Sequence, residues 1–141
     1  MANTYASEVT GLGTTPLGNA EGAVQGGRIR RFRASITLAG QADGDTVTLA
    51  KVPAGYAFAY GVMTASDSLG SSEVAVGVDG TPAKYRASAV FTDTDTPTMF
   101  GGAAAIAGDP LTDAEDVILT VDAAALPSSG TLVVDLFYSA P

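Results

Sequence analysis

The residues best suited to chemistry in this sequence are four arginines in six positions: Arg28, Arg30, Arg31 and Arg33, within GGRIRRFRAS. A planar guanidinium makes paired bonds to carboxylates and phosphates, so the cluster is a candidate anion clamp. Nucleic acid is a poor match for it. The chain has 7 basic residues against 15 acidic ones and a net charge of -8, and Phe32 is the one ring beside the cluster. Such a field repels phosphate backbones and anionic membranes alike. Two readings stand: the arginines pair with the chain's own carboxylates or guard a strand edge, or they meet an acidic protein partner or a neighbouring subunit.

Acidic residues form the second candidate set. Asp93 and Asp95, and the run Asp109, Asp113, Glu115 and Asp116, are types that serve as paired acids in glycoside hydrolysis or as oxygen ligands for calcium. Their spacing specifies neither role, and both sets fall in turn-rich stretches where acids are common turn formers. A carboxylate glycosidase built on Asp93, Asp95 or Asp116 is the one enzyme reading that survives. With no Cys and no His, thiolate chemistry, imidazole bases, disulfides and the common zinc sites are excluded. Neither Lys51 nor Lys84 sits in an S-x-x-K pattern, and the glycine pairs do not open a helix after a strand, as a phosphate cradle would. The sequence therefore predicts no catalytic, cofactor-binding or metal-binding residue.

The elements that position these groups read as strands. In RFRASITLA, Phe32, Ala34, Ile36 and Leu38 alternate with Arg31, Arg33, Ser35 and Thr37, the period of a half-buried strand. Short strands follow in TVTLAKV (46–52), YAFAYGVMTA (56–65), EVAVGV (73–78), KYRASAVF (84–91), DVILTV (centred on 117–121) and TLVVDLFY (131–138). Asp43-Gly44 and Asp79-Gly80 are expected to be hairpin turns, and Pro53-Ala54-Gly55 a turn led by proline. Helix signals are confined to Ala103–Ala107 and to the Thr112 and Glu115 capping spacing. In YAFAYGVM, Tyr56, Phe58, Tyr60 and Val62 are expected on one face and Ala57, Ala59, Gly61 and Met63 on the other. Neither face is polar, so the small-residue side packs on a second sheet or on another subunit.

At 141 residues the chain is the size of one domain, and 16% charged residues against 46% hydrophobic ones leave a surface that is small, neutral or apolar. Residues 1–27 are rich in Gly, Thr, Asn and Ala and are expected to be an extended N-terminal arm. Residues 28–141 are expected to be an all-β domain, a small antiparallel sandwich or barrel built of hairpins. With no apolar run of membrane length and no secretion-type leader pattern, the expectation is a protein made in a cytoplasm.

Word order then adds a resemblance. DTVTLAKVPAGYAFAYGVMTASDSLGSSEVAVGVDG from Asp45 to Gly80, TPAKYRASAVFTDTDTPTMF after it, and DVILTVDAAALPSSGTLVVDLFYS near the end resemble the small β-rich virion proteins of tailed bacteriophages, particularly head decoration (cement) proteins. The likeness covers roughly the last two thirds of the chain. It lies in a strand ending V-P-A-G, a Ser-Leu-Gly-Ser loop leading into V-x-V-G, and final strands joined by L-P-S-S-G. The resemblance implies a jelly-roll or β-tulip-like fold, a homotrimer, and binding to the outer face of a capsid with the major capsid protein as partner. It implies a structural role on the virion with no enzyme activity, cofactor, nucleic acid or membrane. Residues 1–27 would then order on the capsid and Arg28, Arg30, Arg31 and Arg33 would clamp it. The alternative is a tail-fibre, baseplate or head-fibre module for a host surface polymer. That reading calls for exposed aromatic platforms, whereas the chain has no Trp and 7% aromatics.

Overall fold

The computed structural model describes residues 22–141. Most of the expected arm, residues 1–21, lies outside the described residues. Gly22–Gly27 form turns in which Ala23 is buried, and a side chain at Gly27 would strike Ser139 and the Ala140 carbonyl. This stretch thus packs against the end of the chain.

Eight strands and one short helix follow: β1 (Arg28–Thr37), β2 (Thr46–Val52), β3 (Ala57–Ala65), β4 (Glu73–Val78), β5 (Thr81–Val90), β6 (Thr98–Phe100), α1 (Ala103–Ile106), β7 (Glu115–Asp122) and β8 (Thr131–Ala140). They form two four-stranded antiparallel sheets, ordered β1-β8-β3-β6 and β2-β7-β4-β5. That order is an eight-stranded jelly roll, one of the architectures by which β chains bury two apolar faces against each other. The all-β sandwich expectation holds.

The connections differ from the expected string of hairpins. Only β4 and β5 are both consecutive and paired, through Asp79-Gly80, with Gly80 at φ 82°; the positive φ favours glycine there. Asp43-Gly44 instead joins β1 to β2, which lie in different sheets, and so does the Pro53-Ala54-Gly55 turn between β2 and β3. Each strand needs a partner on the opposite sheet to cover its apolar side, and alternating between sheets supplies one. The three-residue strand β6 was not anticipated, and Glu115, read as a capping residue, opens β7. Ala103–Ile106 does form a single helical turn.

The core is the shared inner layer. Leu132, Val134, Leu136 and Tyr138 of β8 meet Val117, Leu119 and Val121 of β7 across the sandwich, all of them fully buried. Burying a side chain of this size contributes ~1.5–3 kcal/mol, so this layer dominates stability. Phe32, Ala34 and Ile36 line the inner side of β1 as their alternation requires.

Strand β3 departs from simple alternation. Its pairing with β8 shifts between Phe58 and Tyr60, leaving Ala59 as a bulge. Phe58 faces Tyr138 and is buried, whereas Tyr60 lies opposite Phe137 on the outer face; Gly61 and Met63 then turn inward and Val62 outward. The expected grouping of Tyr56, Phe58, Tyr60 and Val62 on one face is therefore corrected, because one extra residue reverses the pleat beyond it. Its companion face of Ala57, Ala59, Gly61 and Met63 is divided in the same way. Gly61 is required by contact, since a β-carbon there would overlap the ring of Phe100 on the neighbouring strand β6.

Candidate functional site

The four arginines lie on β1, the edge strand of the β1-β8-β3-β6 sheet. Charged residues on an edge discourage pairing with a foreign strand, so an edge-guarding role fits this position. The other exposed long edge, β5, is protected differently. It begins with Thr81-Pro82, is bulged twice, and Arg86 folds back on the carbonyls of Val74, Ala87, Ala89 and Val90. Burial without a carboxylate partner pulls the Arg86 guanidinium below its ordinary value.

Arg33 is satisfied within the chain. Its Nε and Nη2 donate to Oδ1 and Oδ2 of Asp135, both at 2.8 Å, across the β1–β8 pair. Hydrogen bonding from Arg33 holds the Asp135 carboxyl below the usual carboxylate range, against a smaller opposing effect of burial. Lys51 pairs with Asp116 at 3.3 Å and Lys84 with Glu115 at 2.6 Å. Arg28, Arg30 and Arg31 form no ion pair among the described residues; each is exposed. The reading in which the cluster serves the chain's own carboxylates thus accounts for Arg33 and leaves three cations for something else.

Of those three, Arg31 lies on the outer face of the sheet, whereas Arg28 and Arg30 alternate to the other side of β1, and what surrounds Arg31 is apolar. The β1–β8–β3 register sets Arg31, Phe137 and Tyr60 in one row and Arg33, Asp135, Val62 and Met99 in the next. The rings of Phe137 and Tyr60 stack at 4.6 Å with 14° between planes. At the two ends Ile29 is 53% exposed and Met99 67%. Aromatics, methionine and arginine are the residue types enriched at protein interfaces. None of Tyr60, Phe137, Met99 or Asp135 was singled out as functional from the sequence. One signal was available: in TLVVDLFY the alternate residues Val133, Asp135 and Phe137 are mostly apolar opposite an already apolar inner set.

Glu115 and Asp116 do not face one site together. They are consecutive in a strand, so they leave it on opposite faces. Glu115 is occupied at both oxygens, by the hydroxyl of Tyr85 and the ammonium of Lys84, while Asp116 lies outside with Lys51. Asp95 has φ 49° and its N–H donates to the Ala65 carbonyl, which is a turn's role. No group of three acids among the described residues is arranged to hold a metal ion. Near Glu115, Phe58, Tyr85 and Leu111 line a cavity of about 290 Å³ with Lys84 and Asp109 at its rim. Beside it Tyr138 is fully buried, its ring edge-on to Phe58 at 5.4 Å, and its hydroxyl has no partner among the described residues. Burial pushes the phenols of both Tyr85 and Tyr138 well above their ordinary range, so neither supplies a phenolate near neutral pH.

No sugar-binding platform of exposed loop aromatics is present among the described residues. Tyr56 packs on Phe32, Tyr85 and Tyr138 are in the core, and Tyr60 stacks within the sheet. No helix among them is long and apolar enough to cross a membrane.

No family model and no curated protein matches the sequence. The fold does match chains in solved bacteriophage capsid structures. A chain in the capsid of Ralstonia phage GP4 is similar with a TM-score of 0.66 at 20% identity, covering 82% of this chain and 86% of that one. A chain in the cyanophage Pam1 capsid asymmetric unit gives 0.64 at 18% identity with the same coverage. A third, in the acid-stable capsid of Helicobacter pylori bacteriophage KHP30, gives 0.59 at 15% identity over 80% of this chain and 88% of that one. At these identities the likeness is one of fold.

Proposed function

We propose that this protein is a structural component of a tailed-phage virion, a decoration or cement protein that binds the outer surface of the capsid and stabilises the shell. The observation that carries the reading is that the fold is shared with chains in three phage capsids over four fifths or more of either chain. Near-equal coverage on both sides means that the matched chains are about as short as this one. That suits a small self-contained addition to a shell. The composition agrees: few charges and an apolar outer sheet face suit repeated contact with other protein.

In this role the partner is the major capsid protein, the working unit is a homotrimer, and no cofactor takes part. The location is the capsid surface, reached after synthesis in the host cytoplasm. Several copies acting together hold on more tightly than one, because the first contact raises the local concentration of the next. Binding to the assembled shell alone stabilises that shell by mass action. Arg28, Arg30 and Arg31 are the proposed contact residues, with Arg33 held by Asp135 beside them and the N-terminal arm of residues 1–27 adding to the contact.

Immunogold electron microscopy of virions from the producing phage tests the role. Gold spread over the head is the expected result. Gold at the tail tip would favour a host-binding module instead, and absence from intact particles with an accessible epitope would remove the virion reading.

A further inference from the structure

We propose that the outer face of the β1-β8-β3-β6 sheet is the surface that meets the shell, and that its partner is an apolar protein surface carrying carboxylates. The inference rests on the decoration reading and deepens it by assigning one face.

The face has a middle and a margin of different chemistry. Its middle is the Phe137 and Tyr60 stack with Val62, continued by Met99, which is 67% exposed. Its margin on β1 is Arg31 with Ile29, and Arg28 and Arg30 share that strand end. A stacked aromatic pair flanked by arginine is the usual make-up of an energetically dominant contact, in which the rings exclude water and strengthen the neighbouring charge bonds.

Charge identifies the occupant. Arg31, which has no ion pair among the described residues, stands on this face of a molecule whose net charge is -8, and Arg28 and Arg30 leave the same strand end on its other side. An arginine on such a surface is best complemented by a partner's carboxylates. A second copy applied through the same face does not provide them. A two-fold contact brings the same patch together from both sides, and the one carboxylate in these rows, Asp135, is already held by Arg33. The opposite sheet lacks these features: its outer rows are Thr46, Thr120 and Ala75, then Thr48, Ile118 and Gly77.

Site-specific photo-cross-linking on intact virions tests the assignment. A benzophenone amino acid replaces Met99 on the proposed contact face or Thr48 on the opposite face, both exposed and away from the core, and the two variants are packaged in the producing phage. Immunoblotting first establishes incorporation. The expected result is a Met99 adduct with a different capsid chain, at least about tenfold more abundant than any adduct from Thr48. R31E in the Met99 probe background should lower that adduct, and the deficit should narrow as salt screens the charges. Adducts from Thr48 alone, Met99 adducts only with another copy of this chain, or incorporation without an adduct from either position would each overturn the face assignment while leaving the decoration reading intact. Failure of the unmodified protein to appear in particles would overturn both.

Discussion

The outer faces of the two sheets are made from the same backbone pattern yet differ in almost every side chain. On one, Phe137, Tyr60, Val62 and Met99 form an apolar field edged by arginines, with Asp135 held by Arg33. On the other, threonines and small residues alternate with Asp116, Asp122 and Glu73, and Lys51 is paired to Asp116. The central strands β8 and β7 bury their inner sides equally well, so folding alone does not call for the contrast. A face that only needs to be wet settles into threonine and acid. One that sets stacked rings beside Arg31, which has no ion pair among the described residues, is of the kind that marks interaction sites.

Four measurements break or sharpen that contrast, starting with the largest effect. Leu136→Ala in β8 and Leu119→Ala in β7 remove fully buried side chains from the centre of each sheet. Each is expected to cost about 2–5 kcal/mol in denaturant unfolding. Similar costs would place the asymmetry entirely outside the core, while a cost under about 1 kcal/mol for either would mean that its sheet is not part of one cooperative unit.

Gly61→Val acts on the apolar field itself. Its side chain would overlap the ring of Phe100 on the inner side, so that ring must shift, which loosens the seat of β6 beneath Met99. The expected loss is about 1–3 kcal/mol. Hydrogen exchange should show the loosening in β6 before β7; uniform loosening would show that β6 is not an independent edge.

A smaller effect comes from the acidic face, where Glu73 and Asp122 lie directly opposite each other on β4 and β7 and both approach the hydroxyl of Ser88, at 3.2 and 2.8 Å. One hydroxyl proton serves one carboxylate at a time, and like charges facing across strands repel. Glu73→Gln should therefore raise stability by ~0.2–1 kcal/mol, with the gain shrinking as salt is added. A loss at every salt concentration would show the pair to be held by something other than charge.

The smallest signal is read through pH. Hydrogen bonding from Arg33 lowers the folded-state pKa of Asp135, so its stabilising contribution is present above the unfolded carboxylate pKa and disappears as pH falls through the folded value. The difference in Tm between the wild-type chain and Asp135→Asn should be greatest near neutrality and fade below about pH 4. Because Arg33 is exposed, solvent screens the pair and the difference stays small. A difference independent of pH would mean that the asparagine disturbs packing instead of charge.

Period-two alternation, turn residues and composition determined most of the strands, the all-β class, the inner side of β1, and the absence of thiol and imidazole chemistry. These are local properties, legible because a strand shows its two faces every second residue. Only the tertiary structure decided which strands pair. The crossing connections, the Ala59 bulge that sends Phe58 inward and Tyr60 outward, and the docking of β6 on Gly61 all depend on contacts between residues far apart in the chain. The arginine cluster shows the division most plainly: its four charges were visible as a run. That Arg33 is taken by Asp135, 102 positions away, while Arg31 stands beside a stacked aromatic pair, was settled by the register of β1 on β8 and β8 on β3.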